Sequence, residues 1–299
     1  MSNKIVIEHV NKFYGKKAAL TDVSLTIENG MFGLLGRNGA GKTTLMKLLA
    51  TLHAPDGGSI TVCGVPIEET GKIRQMIGFL PQDFNMYPNM SVYEAMDYLG
   101  MLSGMEKQAR RECIPKLLER VNLLEEQKKR VKSLSGGMKR RLGIAQALLH
   151  NPKVLIVDEP TAGLDPEERV RFRNLLFEVA SERIVILSTH IVGDIEATCE
   201  KIAILNEGRL LWNGTLTDIL KEAEGKVFVA EVTQDELEEI KQKYVVTSLL
   251  RQAEKSIVRF VTEDSSRTEA AKTVPANCED AYMYCLLKSG VCEGGQKNA

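Results

Sequence analysis

The chain has 299 residues, of which 43% are hydrophobic and 26% charged, and its formal net charge is -1. This length allows about two domains with a sizeable core, and the composition is that of a globular protein, which excludes disorder. Because 39 Lys plus Arg residues balance 40 Asp plus Glu residues, we expect no nucleic-acid partner and no whole-chain attraction to an anionic bilayer.

No apolar run approaches the roughly 20 residues that a membrane-spanning helix needs, so we expect no membrane span. The first residues lack a basic region followed by an apolar stretch, so no secretory signal is expected either. The cysteines form no CxxC pair, which favours reduced thiols in a cytosolic protein over disulfides or zinc ligands. They are Cys63, Cys113, Cys199, Cys278, Cys285 and Cys292.

Strand-like and helix-like patterns alternate along the first two thirds of the chain. Alternating apolar and polar residues predict strands with one buried face at 4–10 and 20–28. A further strand is predicted at 59–63, after the turn at 55–58. Short unbroken apolar runs are typical of strands buried on both faces, and they lie at 32–35, 154–157 and 184–187. Helical patterns occupy 42–51 and 167–180. This alternation predicts an α/β fold.

Residues 86–150 differ from their flanks because they are rich in helix formers and lack strand-like alternation. Ser91 and Glu94 have the spacing of a capping box, which predicts a helix beginning after Ser91. We expect this stretch to be a helical subdomain inserted into the sheet domain.

Strand and helix patterns start again towards the end of the chain. Runs at 202–205 and 209–212 predict a hairpin. Beyond residue 224, the predicted strands are 227–232 and 256–262 and the predicted helices are 235–243 and 282–288. We therefore predict one domain over 1–224 and a small α+β domain over 225–299.

A glycine-rich segment between a predicted buried strand and a helix matches GxxxxGK[ST], the phosphate-binding loop. Its glycines allow backbone N–H groups to point at phosphate oxygens, and the helix N-terminus adds its positive dipole end. In such a loop Lys42 reaches the β- and γ-phosphates and Thr43 ligates Mg²⁺. The predicted nucleotide-binding residues are Gly36, Arg37, Asn38, Gly39, Ala40, Gly41, Lys42, Thr43 and Thr44.

Two carboxylates follow the predicted buried strand at 154–157. An acid at the position of Asp158 holds Mg²⁺ in enzymes with a phosphate-binding loop, and Glu159 beside it could accept a proton from an attacking water. The alternative for such a pair is helix N-capping, which the phosphate-binding loop upstream makes less favoured.

The segment Leu134-Ser135-Gly136-Gly137-Met138 precedes a predicted helix. Ser135 can cap that helix, and Gly136 and Gly137 leave its first N–H groups open, which makes a second anion-binding helix end. As a bare string it could be an ordinary N-cap. Its position shortly before Asp158, in a chain with a phosphate-binding loop, favours a nucleotide contact.

With these motifs the sequence resembles the nucleotide-binding subunits of ATP-binding cassette (ABC) transporters, over roughly residues 3–224. Tyr14, Gln82, Asp165 and His190 match further motifs of this family. Taken singly, Tyr14 could be a surface aromatic residue and His190 a structural histidine. The order of all the motifs along the chain supports the resemblance. It implies that Tyr14 stacks on adenine, Gln82 contacts Mg²⁺ or water and senses the membrane partner, Asp165 lies in a loop that pairs across a dimer, and His190 contacts the γ-phosphate. Arg37 and the continuation Met138-Lys139-Arg140-Arg141 fall at positions that the family varies.

The resemblance implies a P-loop ATPase core with an antiparallel β subdomain and the inserted helical subdomain. It also implies that each site is shared between two cassettes, so we expect a dimer, as a homodimer with ATP at the interface. The implied catalytic residues are Glu159, His190, Lys42 and Gln82, and the implied Mg²⁺ ligands are Thr43, Gln82 and Asp158.

A separate polytopic permease is implied because no membrane span is predicted, and it would place the chain on the inner face of the cell membrane. The residues after Gln82 either dock that permease or pack the subdomain; they are Met86, Tyr87, Met90 and Tyr93. The tail over 225–299, above all the run 279–284, resembles the extension of bacitracin- and daunorubicin-type exporter subunits, which favours export.

Three alternatives stay open. A soluble ABC protein of translation or DNA repair is disfavoured by the single cassette, the short helical insertion and the near-neutral charge. A regulator that binds ATP without hydrolysis is disfavoured by the complete set of Lys42, Asp158, Glu159 and His190. An importer subunit differs from an exporter subunit in having a solute-binding protein and an importer-type permease as companions.

Overall fold

The computed structural model describes residues 3–252, 255–263 and 271–291. The described chain forms two compact units, one from Met1–His190 with Ile204–Leu210 and the other from Ile191–Ala203 with Leu211–Ala299. These units follow spatial contacts, so the predicted domain boundary after residue 224 stays a prediction.

Strands and helices occupy most of the described residues. The strands are β1 (Lys4–Tyr14), β2 (Lys17–Glu28), β3 (Gly30–Leu35), β4 (Gly57–Val62), β5 (Val65–Pro66), β6 (Ile77–Leu80), β7 (Val154–Asp158), β8 (Ile184–Thr189), β9 (Lys201–Asn206), β10 (Arg209–Thr215), β11 (Val227–Val232), β12 (Val245–Arg251), β13 (Ser256–Val261) and β14 (Lys272–Thr273). The α-helices are α1 (Lys42–Leu49), α2 (Thr70–Met76), α3 (Val92–Leu102), α4 (Lys107–Arg120), α5 (Gly136–Ala147), α6 (Pro166–Ala180), α7 (Val192–Glu196), α8 (Leu216–Glu222), α9 (Gln234–Lys243) and α10 (Cys278–Lys288).

An antiparallel sheet of order β2-β1-β4-β5 begins the first unit. Ile5 and Ile7 on β1 are buried while their neighbours are more exposed, as the alternating pattern predicts, but a register shift between Ile7 and Val10, with His9 at φ 50°, breaks the alternation and makes Val10 the next buried residue. The pairing of β1 with β2 continues to Tyr14, beyond the predicted end of the strand at residue 10. Tyr14 therefore lies at the end of a long strand pair.

The second sheet has the order β10-β9-β3-β8-β7-β6. Strand β8 pairs in parallel with β3 and β7, and β7 pairs in parallel with β6. Every residue of β7 and β8 is buried, which confirms the strands predicted from unbroken apolar runs. The carboxyl ends of neighbouring parallel strands meet at one edge of the sheet, so residues that follow β3, β7 and β8 lie close together.

Helices fill the inserted stretch, which confirms the predicted helical subdomain. Ser91 caps α3 by accepting a hydrogen bond from Glu94 N (3.2 Å), and Glu94 Oε2 accepts one from Ser91 N (2.8 Å), so the predicted capping box forms. Buried apolar side chains on α3, α4 and α5 supply the core of this subdomain; among them are Met96, Ile114, Leu118, Leu142 and Ile144.

The second unit contains a sheet of order β12-β13-β11-β14, with antiparallel pairing. The apolar side of α9 packs on one face of this sheet, where Phe228, Leu237, Ile240, Tyr244 and Phe260 form the centre of the core. The predicted final helix begins earlier than expected, at Cys278. Asn277 and Asp280 cap it reciprocally, a local signal that the apolar pattern of 282–288 does not contain.

None of the described helices has the length and apolar character needed to cross a membrane. The five cysteines in the described part of the chain carry free thiols, and Cys292 lies outside it.

Candidate nucleotide site

The phosphate-binding loop connects the end of β3 with the start of α1. Gly39 (φ 82°) and Gly41 (φ 105°) have left-handed backbones, which glycine adopts without strain. A Cβ at Gly41 would lie 2.8 Å from Ala19 O, and one at Gly36 would lie 2.3 Å from Leu205 O. Backbone therefore approaches both glycines too closely for any side chain, and the loop keeps its curled form.

Lys42, the first residue of α1, is turned back into this loop. Its Nζ donates to Gly36 O (2.6 Å) and Arg37 O (3.2 Å), and lies 3.3 Å from Glu159 Oε1. The Lys42 and Glu159 side chains are each only 5% exposed. The ammonium group is therefore held between the phosphate-binding loop and the acid that follows β7.

Asp158 and Glu159 lie at the carboxyl end of β7, beside the end of β8. Ser188 Oγ donates to Asp158 Oδ1 (2.6 Å), and Glu159 N donates to Ser188 O (3.0 Å). Glu159 has a left-handed backbone (φ 47°), which is strained for a residue with a side chain. This turn places the two adjacent carboxylates in different surroundings, one against Ser188 and the other towards Lys42.

The two oxygens of the Glu159 carboxylate differ in their hydrogen bonding. His190 Nδ1 lies 2.8 Å from Glu159 Oε2. Oε1 is buried and forms an ion pair with Lys42, but it accepts no hydrogen bond of regular geometry from the described residues. A carboxylate oxygen in this condition has an open place for a proton donor such as water.

A cavity of about 370 Å³ lies over the phosphate-binding loop, within the size range of small-molecule sites. Ten of the predicted residues line it: Tyr14, Asn38, Gly39, Ala40, Gly41, Lys42, Thr43, Thr44, Gln82 and Glu159. The other predicted residues are not part of its lining: Gly36, Arg37, Asp158, His190, Ser135, Gly136, Gly137 and Asp165. Lys17, Ala18 and Ala19 also line it and are missed by motif reasoning, since they belong to no nucleotide motif.

Tyr14 stands at the mouth of this cavity and is 44% exposed. Its ring lies nearly perpendicular to the His53 ring (78°), with centroids 5.8 Å apart, and Lys12 Nζ lies 5.8 Å from the Tyr14 centroid. Lys12 is fixed in turn by Asp56 Oδ1 (3.0 Å). Tyr14 therefore has one supported side and an accessible ring, as a base-stacking residue requires.

The Ser135 segment and Asp165 both cap helices. Ser135 Oγ accepts a hydrogen bond from Met138 N (3.2 Å) at the start of α5, and Asp165 Oδ1 accepts one from Glu168 N (2.8 Å) at the start of α6. A Cβ at Gly137 would lie 2.5 Å from Glu168 Oε2. The ordinary capping role thus accounts for the structure of both segments, and neither contributes to the cavity of the same chain.

The residues present fit a nucleotide with Mg²⁺. The donor set expected to bind the metal consists of the Thr43 hydroxyl, the Asp158 carboxylate and the Gln82 amide, which are the hard oxygen ligands that Mg²⁺ prefers. The narrow glycine loop and the Lys42 cation suit a polyphosphate. The residues of this cavity therefore suit the binding of a nucleoside triphosphate with Mg²⁺.

Comparison with known sequences agrees with this chemistry. The family model described as ABC transporter matches residues 20–162. The chain is 40% identical over 229 residues to an uncharacterized ABC transporter ATP-binding protein of Bacillus subtilis, YxlF, with 76% of each chain covered. It is 36% identical over 225 residues to the linearmycin resistance ATP-binding protein LnrL of Bacillus subtilis, covering 74% of this chain and 72% of LnrL. The Nod factor export ATP-binding protein I of Cupriavidus metallidurans is 33% identical over 300 residues, covering 95% of this chain and 97% of that protein.

Solved structures share the fold. CbiO1 of Clostridium perfringens, part of the ABC transporter complex cbiONQ, superposes with a TM-score of 0.68 and 29% identity, covering 74% of this chain and 92% of CbiO1. The dimeric bacterial ABC transporter cassette MJ0796 gives a TM-score of 0.64 and 26% identity, covering 71% of this chain and 98% of that cassette. MJ0796 has also been solved as a post-hydrolysis dimer with ADP and Pi. Fold, motifs and relatives together show that this chain belongs to the ATP-binding proteins of ABC transporters and is an ATPase.

Proposed function

We propose that this chain binds ATP with Mg²⁺ in a dimer of cassettes and powers the export of a drug, antibiotic peptide or similar compound through a separate membrane-spanning permease. The observation that carries the hydrolytic part is the contact chain from Lys42 to Glu159 (3.3 Å) and from Glu159 to His190 (2.8 Å) beside the cavity. These contacts connect the phosphate-binding loop with Glu159 and His190, the two residues proposed to act on the γ-phosphate.

Glu159 is the residue proposed to take the proton from the attacking water. His190 fixes one carboxylate oxygen, and the buried Oε1 faces Lys42 with room to accept a hydrogen bond. Lys42 and the loop N–H groups stabilise the negative charge that develops on the phosphates. Mg²⁺, when held by Thr43, Asp158 and Gln82, supplies further neutralisation of that charge.

Two segments outside the cavity support the proposed dimer. The Ser135 segment and Asp165 do not line the cavity of their own chain, and α5 begins at Gly136 with Ser135 as its side-chain cap. A helix N-terminus attracts anions, so we propose that this segment contacts ATP bound to a second cassette. The dimeric form of MJ0796, which has the same fold, supports this arrangement.

Export rather than import is supported by relatives whose names state resistance or export. LnrL is a linearmycin resistance protein, and the Nod factor export protein aligns over 95% of this chain. We propose that residues 1–224 form the ATP-binding domain, that 225–299 form an accessory domain, and that the chain lies on the cytoplasmic face of the membrane through its permease.

Co-purification tests the transport proposal. The chain is tagged in its native cell, membranes are extracted in mild detergent, and the bound proteins are identified. A polytopic membrane protein without a solute-binding protein is the expected result. A solute-binding protein with an importer-type permease would favour import, and soluble proteins or ribosomes alone would contradict coupling to transport while the ATPase assignment stands.

A further inference from the structure

We propose that Arg140 is a positioning residue for Gln82. Arg140 lies on α5, the helix that Ser135 caps, and it connects this helix to the backbone carbonyl of Gln82. We call residues 81–84 the Gln82 loop. The inference rests on the proposed function, because it takes Gln82 as a contact of Mg²⁺ or of the attacking water. It assigns a role to a residue that lies outside the nucleotide cavity.

Arg140 reaches the Gln82 loop from the second turn of α5. Its Nη1 donates to Gln82 O at 2.6 Å and lies 3.4 Å from Pro81 O. The guanidinium is half-buried, and burial lowers the pKa of Arg140 while the charge of Asp83 opposes that shift. A hydrogen bond from a charged donor is roughly twice as strong as a neutral one, so this contact is a strong polar restraint on the loop.

Apolar packing joins the same helix to both ends of the loop. A Cβ at Gly143, three residues after Arg140, would lie 2.5 Å from Leu80 Cδ1 and 3.1 Å from Phe84 Cδ1. Glycine at this position therefore lets α5 approach the residues on either side of Gln82. Arg140 supplies the polar contact between these two apolar ones, so α5 meets the chain at Leu80, at Gln82 and at Phe84.

The first turns of α5 are also joined to the start of α6. Arg141 Nε lies 3.3 Å from Glu168 Oε2, and Glu168 N donates to Asp165 Oδ1. Arg140 thus joins the Gln82 backbone to α5, and the Arg141–Glu168 pair joins α5 to the helix that Asp165 caps. In the proposed dimer the Ser135 and Asp165 caps face the second nucleotide, so Arg140 connects one site to the other.

This role predicts a separation between binding and turnover. The hydrogen bonds of Arg140 run to the carbonyls of Pro81 and Gln82, whereas the phosphate-binding loop at 36–44 lies between β3 and α1, so we expect ATP affinity to depend little on Arg140. Gln82 lines the cavity beside Thr43 and Glu159. Loss of Arg140 frees the backbone that orients Gln82, and the effect appears in kcat and in the Mg²⁺ concentration that gives half-maximal activity.

A double-mutant cycle on the full-length chain tests the proposal. Phosphate release and Mg²⁺ dependence are measured for wild type, Arg140→Gln, Gln82→Ala and the double variant, with ATP affinity from calorimetry and melting temperature as a check of folding. We expect Arg140→Gln to lower kcat roughly 10- to 100-fold, as loss of an orienting contact behind a metal ligand does. In the Gln82→Ala background the same change should cost less than about twofold, because coupled residues are not additive.

Two further variants separate positioning from charge or general stability. Lys139→Gln removes a neighbouring positive charge from α5 and should leave kcat and Mg²⁺ dependence near wild type. Arg140→Lys keeps one charged donor and should recover part of the lost kcat, and it replaces Arg140→Gln in the cycle if that variant does not fold. Two results would overturn this inference and leave the proposed function standing, provided that the wild-type chain is active. One is that the losses in kcat of Arg140→Gln and Gln82→Ala are additive in the double variant. The other is that Lys139→Gln loses as much kcat as Arg140→Gln. A wild-type chain that binds ATP but releases no phosphate would overturn the proposed function and this inference with it.

Discussion

His190 Nδ1 lies 2.8 Å from Glu159 Oε2, at the carboxyl ends of two neighbouring parallel strands. The contact fixes the direction of the Glu159 carboxylate, and it leaves Oε1 of that carboxylate buried with an open hydrogen-bonding place. The histidine is 44% exposed at its side chain whereas the glutamate is 5% exposed. The pair thus links the solvent-facing edge of the site to a carboxylate in its interior.

Glu159→Gln should bind ATP with near wild-type affinity and lose roughly 100- to 10,000-fold in the rate of phosphate release, because a positioned base contributes that much. The amide keeps the shape of the side chain and can still meet His190, but it cannot take up a proton. Phosphate release under single-turnover conditions measures the loss. Glu178→Gln, on the exposed side of α6, is the matched control, and wild-type-like release from Glu159→Gln would contradict its role as the base.

Lys42→Ala should weaken ATP binding and also lower the free energy of unfolding. The first effect follows from loss of the cation proposed to bind phosphate. The second follows from leaving Glu159 buried without the Lys42 ammonium, and removing one partner of a buried pair costs about 3 to 5 kcal/mol. Titration calorimetry measures the first effect, and chemical denaturation measures the second.

The double variant Lys42→Ala, Glu159→Gln separates the loss of ATP affinity from the loss of stability. Adding Glu159→Gln should restore most of the stability, because the unpaired charge is removed, but it should not restore ATP affinity. Lys47→Ala, in the last turn of the same helix, is the control for loss of a lysine. Unchanged ATP affinity in Lys42→Ala would contradict the assignment of the phosphate-binding loop.

Tyr14→Ala should weaken the binding of ATP but not that of inorganic triphosphate. Stacking on an aromatic ring is worth about 1 to 3 kcal/mol per base, and the triphosphate has no base to stack. Calorimetric titration with both ligands gives the comparison, and Tyr14→Phe, which keeps the ring, should behave like wild type. Equal losses for the two ligands would show that Tyr14 supports the phosphate-binding loop rather than the base.

Much of the fold could be predicted because its central strands are locally distinctive. Strands β7 and β8 are unbroken apolar runs, and their burial follows from that composition alone. Strand β6 escapes prediction because it has four residues and includes Gly78, where a Cβ would lie 2.0 Å from Ala147 O. Strand β12 escapes because it is an edge strand whose exposed and half-buried residues do not alternate.

The candidate site shows a similar division. Motifs give the positions of Lys42, Asp158 and Glu159 in the sequence, and the strand before each motif predicts the edge of the sheet on which it lies. The contacts between them depend on which strands are neighbours, and β8 beside β7 is what brings Ser188 to Asp158. The bond from Arg140 to the Gln82 carbonyl spans 58 residues of sequence, so no local pattern indicates it.

Asp280 leads to a prediction about pH and the stability of the second unit. Burial alone would raise the pKa of this fully buried carboxyl, but hydrogen bonds from Arg259, the Asn277 backbone and Thr247 outweigh burial and lower its pKa. The carboxylate form therefore stabilises the folded state at pH values above the unfolded pKa of about 3.9, and this contribution is lost as the pH falls below it. The second unit should unfold more readily as the medium is acidified below about pH 4.

Trp212 is the only tryptophan of the sequence and lies in the second unit, where its Nε1 donates to Glu222, so its fluorescence reports unfolding there. Asp280→Asn should lower the free energy of unfolding at neutral pH and flatten its dependence on acid, because the ion pair with Arg259 is lost while the side-chain volume is kept. Glu279→Gln, the exposed neighbour, should keep the wild-type dependence. If Asp280→Asn retained the full acid dependence, the responsible group would be another carboxylate, and the Arg259–Asp280 pair would not be the acid-sensitive contact of this unit.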